Sequence, residues 1–208
     1  MKLHLIAAAV GLALAANAHA TDLSGSLTAD NQFSLYISTS NDTLGEHIVS
    51  GNNWGSAPSF SGFNLVAGQN YFLHVVTYNW DYESDGFYIA SGFLGNFALN
   101  GSNFSFANGS QTLLTNTADW KVAVGSDLST WVTPTETPIS FGQNGVQPWG
   151  YHAAIDDEAQ WIWQSSNSTK YALFSTAILA AVPEPSSYAL LLAGIGVLGA
   201  AARRSRKA

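Results

Sequence analysis

The sequence predicts an all-β fold, an antiparallel β-sandwich or barrel, between two terminal signals. Stretches rich in β-branched and aromatic residues recur between turn residues spaced about 8 to 12 positions apart. Between residues 21 and 181, no segment has the apolar stripe of an amphipathic helix. Charged residues make up only 10% of the chain, and small polar and aromatic residues take their place. Together these features are typical of exported all-β domains.

The first 20 residues have the order of a secretory signal peptide. Lys2 supplies a positive start, residues 5–16 form an apolar core, and Ala18-His19-Ala20 is a small-x-small cleavage site. We therefore expect the mature chain to begin at Thr21 and residues 21–181 to form one β-sandwich domain.

The predicted strands alternate apolar and polar residues or are apolar on both faces. Residues 71–80 form the strongest of them, and apolar residues on both faces predict a central strand. Gly95-Asn96 predicts a turn between two separate strands, and residues 125–148 show no strand pattern. The strands predicted in this way are 33–38, 47–50, 60–66, 71–80, 87–94, 97–99, 120–124, 159–164 and 171–179.

The charge of the mature region limits its partners. Residues 21–181 contain thirteen acidic residues against two lysines, Lys121 and Lys170, which gives a net charge of −11. Such a surface repels nucleic acid and anionic membranes and is compatible with neutral glycans or calcium. The chain has no cysteine, so neither disulfides nor zinc thiolates contribute to its stability.

The C-terminal 27 residues, 182–208, have three parts in a fixed order. A stiff proline-containing break precedes an uncharged run, which counts 17 residues from Ser186, and a basic cluster follows. This order predicts a short transmembrane helix held by positive charge on its cytoplasmic side. Three glycines weaken the helix, which favours a removable segment over a permanent anchor; an ordinary tail anchor is the alternative. The break and the first basic residues are Pro183, Glu184, Pro185, Arg203 and Arg204.

In order and spacing, this tail resembles the PEP-CTERM sorting signal of Gram-negative bacteria. The resemblance implies recognition by an exosortase, a membrane transpeptidase, with cleavage near residues 183–185. It also implies export machinery as a partner, passage through the inner membrane, and a final place at the cell surface or in the extracellular matrix. Because such signals occur in producers of exopolysaccharide, exopolysaccharide is a further expected partner.

Four segments of the mature region resemble the galactose-binding-like jelly-roll family. They are Thr28-Ala-Asp-Asn-Gln-Phe-Ser-Leu-Tyr-Ile37, Asn79 leading into Ala90-Ser-Gly-Phe-Leu94, Thr117-Ala-Asp-Trp-Lys121 and Ala159-Gln-Trp-Ile-Trp163. The resemblance implies an antiparallel jelly-roll β-sandwich. It also implies glycan binding, although many members of that family serve only as structural modules.

An acidic turn is the candidate metal site. Asp81, Glu83 and Asp85 alternate before Gly86, like the first half of a calcium loop. The twelfth position is Gly92 where a bidentate glutamate is needed, so an EF-hand is excluded. A looser calcium site and a solvated acidic turn both remain open, and no other cofactor is expected.

A second acidic cluster, residues 156–158 with His152 nearby, is the candidate acid/base group. Glycoside hydrolysis needs two carboxylates facing each other across a bond, and adjacent residues in one segment point apart. The mature region also lacks the common nucleophile, zinc and phosphate-loop motifs. We therefore expect a non-enzymatic protein, with a matrix glycan hydrolase and a calcium-stabilised adhesion module as alternatives.

The aromatic residues divide by context. Trp120, Trp161 and Trp163 lie in predicted strands and are expected in the core, the last two on one face. Trp54 lies in a loop, where an indole ring can stack on a sugar, and it is the candidate glycan contact; anchoring of the loop is the alternative. His74 lies inside the strongest strand and is expected to be a hydrogen-bonded strand residue.

Overall fold

The structure is a computed structural model, and it describes residues 21–80, 90–164, 169–181 and 185–205. Residues 20–180 form one compact unit, and the C-terminal helix belongs to a second unit. The strands in the described part of the chain are β1 (Thr21–Asp30), β2 (Gln32–Ser38), β3 (Glu46–Gly51), β4 (Ser59–Leu65), β5 (Tyr71–Tyr78), β6 (Gly92–Asn100), β7 (Phe104–Phe106), β8 (Thr112–Leu114), β9 (Lys121–Val124), β10 (Ile139–Gln143), β11 (Gln160–Trp163) and β12 (Tyr171–Ala180).

These strands form two six-stranded antiparallel sheets. Sheet A has the order β10-β11-β6-β1-β4, and β8 also pairs with β6. Sheet B has the order β3-β2-β5-β12-β7, and β9 also pairs with β12. The long central pairs, β1 with β6 and β5 with β12, give each sheet its frame.

The core lies between the two sheets. Alternating side chains of both sheets point inward and bury a shared apolar cluster. At its centre, the ring of Phe93 from sheet A lies 5.1 Å from that of Phe174 from sheet B, measured between centroids. The expected all-β sandwich is therefore confirmed, whereas its assignment as a jelly roll stays a prediction.

Strand β6 differs from the prediction of a turn at Gly95-Asn96. The strand runs without interruption from Gly92 to Asn100 and pairs with β1 over its whole length. A Cβ atom on Gly95 would lie only 3.0 Å from Cβ of Leu27 and 3.2 Å from the carbonyl oxygen of Ser26. The glycine therefore permits close approach of β1 and does not mark a turn. Residues 87–89, predicted as the start of this strand, lie outside the described residues.

Four further strands, β1, β7, β8 and β10, were not predicted as such. Residues 28–37, expected as a single opening strand, are divided between the end of β1 in sheet A and β2 in sheet B. The chain changes sheets at Asn31, whose backbone N–H donates to the carbonyl of Tyr78 at 3.0 Å. Strands β8 and β10 lie in stretches that carry no clear alternation. Sequence pattern alone therefore missed the start of sheet A and two of its outer strands.

The strand registers place both ends of the sandwich domain together. Thr21 pairs with Leu65, and Ala180 donates its backbone N–H to the side chain of Asn70, five residues further along. At the other end, β1 passes directly into β2 beside Tyr78.

Helix α1 (Pro185–Ser205) follows the sandwich and begins at a proline, the residue type favoured at the first helical position. Arg203 and Arg204 lie exposed in its last turn, as predicted for the basic cluster. In the described part of the chain, no helix combines the length and hydropathy needed to cross a membrane. The transmembrane part of the prediction is therefore not confirmed. The signal peptide, Pro183 and Glu184 lie outside the described residues.

Candidate functional site

A pocket of about 310 Å³ lies on the outer face of sheet B, and we call it the sheet B pocket. Its floor comes from β5 and β12, and its walls come from the β2–β3 loop, the segment before β9 and the segment after β9. The residues that matter for its chemistry are Asn41, Phe72, Asp119, Lys121, Pro134 and Ser175.

Strand alternation explains why polar groups reach this face. Leu73 and Phe174 point into the core, so their neighbours on β5 and β12 point outward. Ser175 lies opposite His74 of β5 on one side and opposite Lys121 of β9 on the other. The register therefore sets an imidazole, a hydroxyl and an ammonium group in one row across three strands.

Asn41 connects the pocket to the rest of sheet B. Its Oδ1 accepts a hydrogen bond from Oγ of Ser175 at 2.6 Å and lies 3.2 Å from Nε2 of His74. Its backbone carbonyl accepts from Nε1 of Trp131 at 2.8 Å and from Oγ1 of Thr133 at 3.3 Å. Three hydrogen bonds, from Ser175, Trp131 and Thr133, fix this one residue, so the pocket wall that it forms is held in place.

His74, which contacts Asn41, is fully buried. Its Nδ1 donates to the carbonyl of Leu44 at 3.3 Å, which confirms the prediction of a hydrogen-bonded strand histidine. Burial lowers the pKa of His74 to about 4, so the ring is neutral at physiological pH.

Residues 126–138, which we call the strap, connect β9 to β10 and cross the outer face of sheet B. Trp131 of the strap packs on an apolar cluster that includes Leu173 of β12. Near the start of the strap, Asp127 accepts hydrogen bonds from Ser129 and Thr130, all between 2.7 and 2.8 Å. These bonds, led by that from the Ser129 hydroxyl, hold the pKa of Asp127 well below its usual range. The strap therefore has its own local turn and is fastened to the sheet.

The opposite wall of the pocket carries the charges. Oδ2 of Asp119 accepts hydrogen bonds from Nδ2 of Asn116 at 2.8 Å and Nδ2 of Asn108 at 3.1 Å. Lys121, two residues on, is exposed at the rim. The pocket thus offers an amide, a hydroxyl, a carboxylate and an ammonium group around an aromatic floor.

Ser175 is not activated as a nucleophile. Its hydroxyl donates to the amide oxygen of Asn41, whereas an activated serine donates its proton to a base. His74, the neighbouring imidazole, contacts Asn41 and Leu44 instead. The arrangement suits hydrogen bonding to a ligand.

Trp54, the predicted glycan contact, lies on a fastened loop. Its carbonyl accepts from Oγ1 of Thr28 at 3.0 Å, and Pro58 accepts from the backbone of Leu27 at 3.3 Å. The side chain remains 38% exposed. The backbone is anchored while part of the ring stays accessible, so glycan contact by Trp54 stays a prediction.

The strand tryptophans are all buried, as predicted. Trp163 packs in the main core, where its ring lies 5.9 Å from that of Phe174. Trp161 instead stacks on Trp149, with centroids 4.4 Å apart, in a second cluster. Trp161 and Trp163 therefore pack in different clusters, and their expected place on one face of the strand stays a prediction. Trp149 donates through Nε1 to Asp30 at 2.9 Å, a core role that its Gly- and Pro-rich surroundings did not indicate.

The acidic triplet does not assemble with His152. Asp157 accepts a hydrogen bond from the hydroxyl of Tyr151 at 2.8 Å, and this bond raises the pKa of the tyrosine. Asp156 accepts from the backbone of Glu158 at 2.8 Å. The ring of His152 packs edge-on against Trp161, and burial lowers its pKa. The triplet therefore makes local turn contacts.

The candidate calcium residues Asp81, Glu83 and Asp85 lie outside the described residues, so a calcium site there stays a prediction. Within residues 21–80, 90–164, 169–181 and 185–205, no group of three or more potential metal-ligating side chains is found.

The chain consists of an all-β domain and, after it in sequence, a helix that begins at a proline and ends in basic residues. This order is typical of a protein with a C-terminal targeting segment. Residues 181–207 match the PEP-CTERM protein-sorting motif, which supports sorting of this chain by an exosortase. The motif implies export and passage through a membrane before cleavage. The match covers 27 of 208 residues and does not extend into the sandwich. Comparison with curated proteins and with solved structures finds no match to this chain.

Proposed function

We propose that the protein is a non-enzymatic component of the cell surface or extracellular matrix that contacts neutral exopolysaccharide through its β-sandwich. The sorting motif supports delivery to that environment. The net charge of −11 across residues 21–181 favours an uncharged polymer over an anionic one.

The partial exposure of Trp54 is the observation on which the proposed glycan contact rests. A partly exposed indole ring on a backbone fixed by Thr28 loses little conformational entropy when a sugar stacks on it. The neighbouring loop residues Asn52 and Asn53 can bond sugar hydroxyls beside the ring.

A non-enzymatic role is supported by the arrangement of the polar groups. Ser175 donates to an amide oxygen, and the carboxylates of Asp156 and Asp157 accept hydrogen bonds from neighbouring residues of their own segment. Neither group provides the activated nucleophile or the facing pair of carboxylates that glycan cleavage requires.

The test is co-sedimentation of the processed protein with exopolysaccharide from a host that has an exosortase. We expect Trp54→Ala to reduce the sedimented fraction severalfold, because the stacking surface is lost. Trp80→Ala is the matched control, since Trp80 is 46% exposed and its loss removes a similar exposed aromatic surface elsewhere. Equal sedimentation of wild type and Trp54→Ala contradicts the proposed contact.

A further inference from the structure

We infer that the sheet B pocket binds a single neutral sugar unit of a glycan, at a site separate from Trp54. This inference rests on the proposed function for its ligand class and adds a second contact. The pocket floor comes from β5 and β12, two central strands of sheet B. Its polar groups come from three different parts of the chain.

The size and floor of the pocket fit a sugar ring. Its volume of about 310 Å³ lies at the lower end of the range for small-molecule sites, about 300 to 1,000 Å³. Phe72 provides an aromatic surface, and Ala177 and Pro134 extend it. The C–H face of a sugar ring packs on such a surface while its hydroxyls point to the walls.

The polar groups around the pocket suit hydroxyls, which both donate and accept hydrogen bonds. Lys121 is a donor and Asp119 is an acceptor. Oδ1 of Asn41 already accepts from Ser175, so Asn41 offers a ligand its side-chain NH₂, which is a donor. Two amides already bind Oδ2 of Asp119 and orient the carboxylate. A ligand with several hydroxyls can satisfy this mixed set.

The charges of the pocket disfavour other small ligands. A phosphate or sulfate would face the Asp119 carboxylate beside Lys121, in a domain of net charge −11. A wholly apolar ligand would cover the Asp119 and Lys121 side chains without bonding them, at a desolvation cost. A neutral polyol avoids both costs.

The wall formed by Asn41 is preorganised. The strap holds the Asn41 carbonyl through Trp131 and Thr133, and Ser175 holds its side chain. Because these groups are fixed before binding, a sugar does not have to order them. Affinity at this site therefore depends on the strap remaining in place.

The test compares the two lysines of the sandwich in the processed protein. Saturation-transfer NMR with the methyl glycosides of glucose, galactose and mannose measures binding to wild type, Lys121→Gln and Lys170→Gln. We expect at least one glycoside to bind wild type and Lys170→Gln equally, and Lys121→Gln to bind about tenfold more weakly because a charged donor is lost. The two substitutions change net charge equally, and Lys170 lies outside the pocket, 5.5 Å from the Tyr78 ring.

A second variant, Phe72→Leu, tests the floor, with its melting temperature measured to show that it folds. Loss of glycoside binding by this folded variant supports the site. The inference is overturned if no glycoside binds wild type, or if Lys121→Gln and Phe72→Leu bind glycosides as tightly as wild type does. It is also overturned if the pocket binds inorganic phosphate in place of glycosides. If no glycoside binds the wild-type pocket while sedimentation with exopolysaccharide still depends on Trp54, the pocket is refuted and the proposed function stands.

Discussion

The imidazole ring of His74 and the indole ring of Trp131 lie against each other, with their centroids 4.1 Å apart. His74 belongs to β5 of sheet B, and Trp131 lies near the middle of the strap. The same indole donates to the carbonyl of Asn41, whose side chain contacts His74. This contact therefore joins the strap, the β2–β3 loop and the sheet at one point beside the pocket.

The stability of the domain should depend on pH through His74. Its pKa is about 4 in the folded protein, against about 6.5 in an unfolded chain. The unfolded state therefore binds a proton between these values while the folded state does not, so stability falls as pH drops from 6.5 towards 4. Urea denaturation at a series of pH values should show a loss of stability that is larger in wild type than in His74→Gln, by about 3 kcal/mol.

His152, whose pKa burial also lowers, is present in both proteins, so the difference between the two curves reports His74 alone. Parallel curves for wild type and His74→Gln would show that the folded-state pKa of His74 is close to normal.

Removing the indole of the strap should loosen the strap without unfolding the sandwich. Trp131→Ala removes the ring on His74 and the hydrogen bond to Asn41, and should cost about 2 kcal/mol, less than a fully buried tryptophan. Hydrogen exchange within residues 126–138 should accelerate, while β5 and β12 remain protected.

Val132→Ala is the control for the strap, since Val132 is 47% exposed and its truncation should leave exchange unchanged. If both substitutions leave exchange of the strap at the wild-type rate, the strap does not depend on Trp131.

The start of β6 should not tolerate a side chain at Gly92. A Cβ atom there would lie 2.5 Å from the Trp161 ring and 3.1 Å from Trp149, so the stacked pair would have to move. We expect Gly92→Ala to destabilise the domain by about 3 kcal/mol in urea denaturation. Gly55→Ala, whose added Cβ would lie 3.3 Å from its nearest neighbour, should have little effect. Equal stability of the two variants would mean that the tryptophan stack is loose.

Local pattern predicted the strands whose alternation is complete. Strands β5 and β12 alternate or carry apolar residues on both faces, and the sequence placed both within two residues of their observed bounds. It failed at Gly95, because a glycine that admits a neighbouring strand looks the same as a glycine in a turn. Strand β10 is short, its alternation is limited to Ile139-Ser140-Phe141, and a register shift follows where it pairs with β11. Tertiary pairing, absent from any local window, decides such strands.

The sheet B pocket was not predictable from the sequence for a related reason. Asn41 and Ser175 are 134 residues apart, and they meet because the β2–β3 loop lies on the outer face of sheet B, where Ser175 is opposite His74. Neither residue belongs to a recognisable motif. By contrast, the sorting signal is contiguous, so the order of proline, apolar run and arginine was enough to predict it.

The basic end of the helix should be needed for processing. Arg203→Ala with Arg204→Ala removes the two exposed charges in the last turn of α1, and uncleaved protein should accumulate. Immunoblots of cell fractions provide the measurement, and Lys170→Ala, which removes a positive charge from the sandwich, is the control. Normal processing of the double variant would show that the matched motif does not need these arginines.

The most direct test of the account is the mass of the mature C-terminus. The protein should be recovered from a host with an active exosortase and, in parallel, from the same host with the exosortase gene deleted. We predict that the first sample ends near residues 183–185 and that the second retains the chain to Ala208. A chain that still ends at Ala208 when the exosortase is active would contradict the assignment as an exosortase substrate.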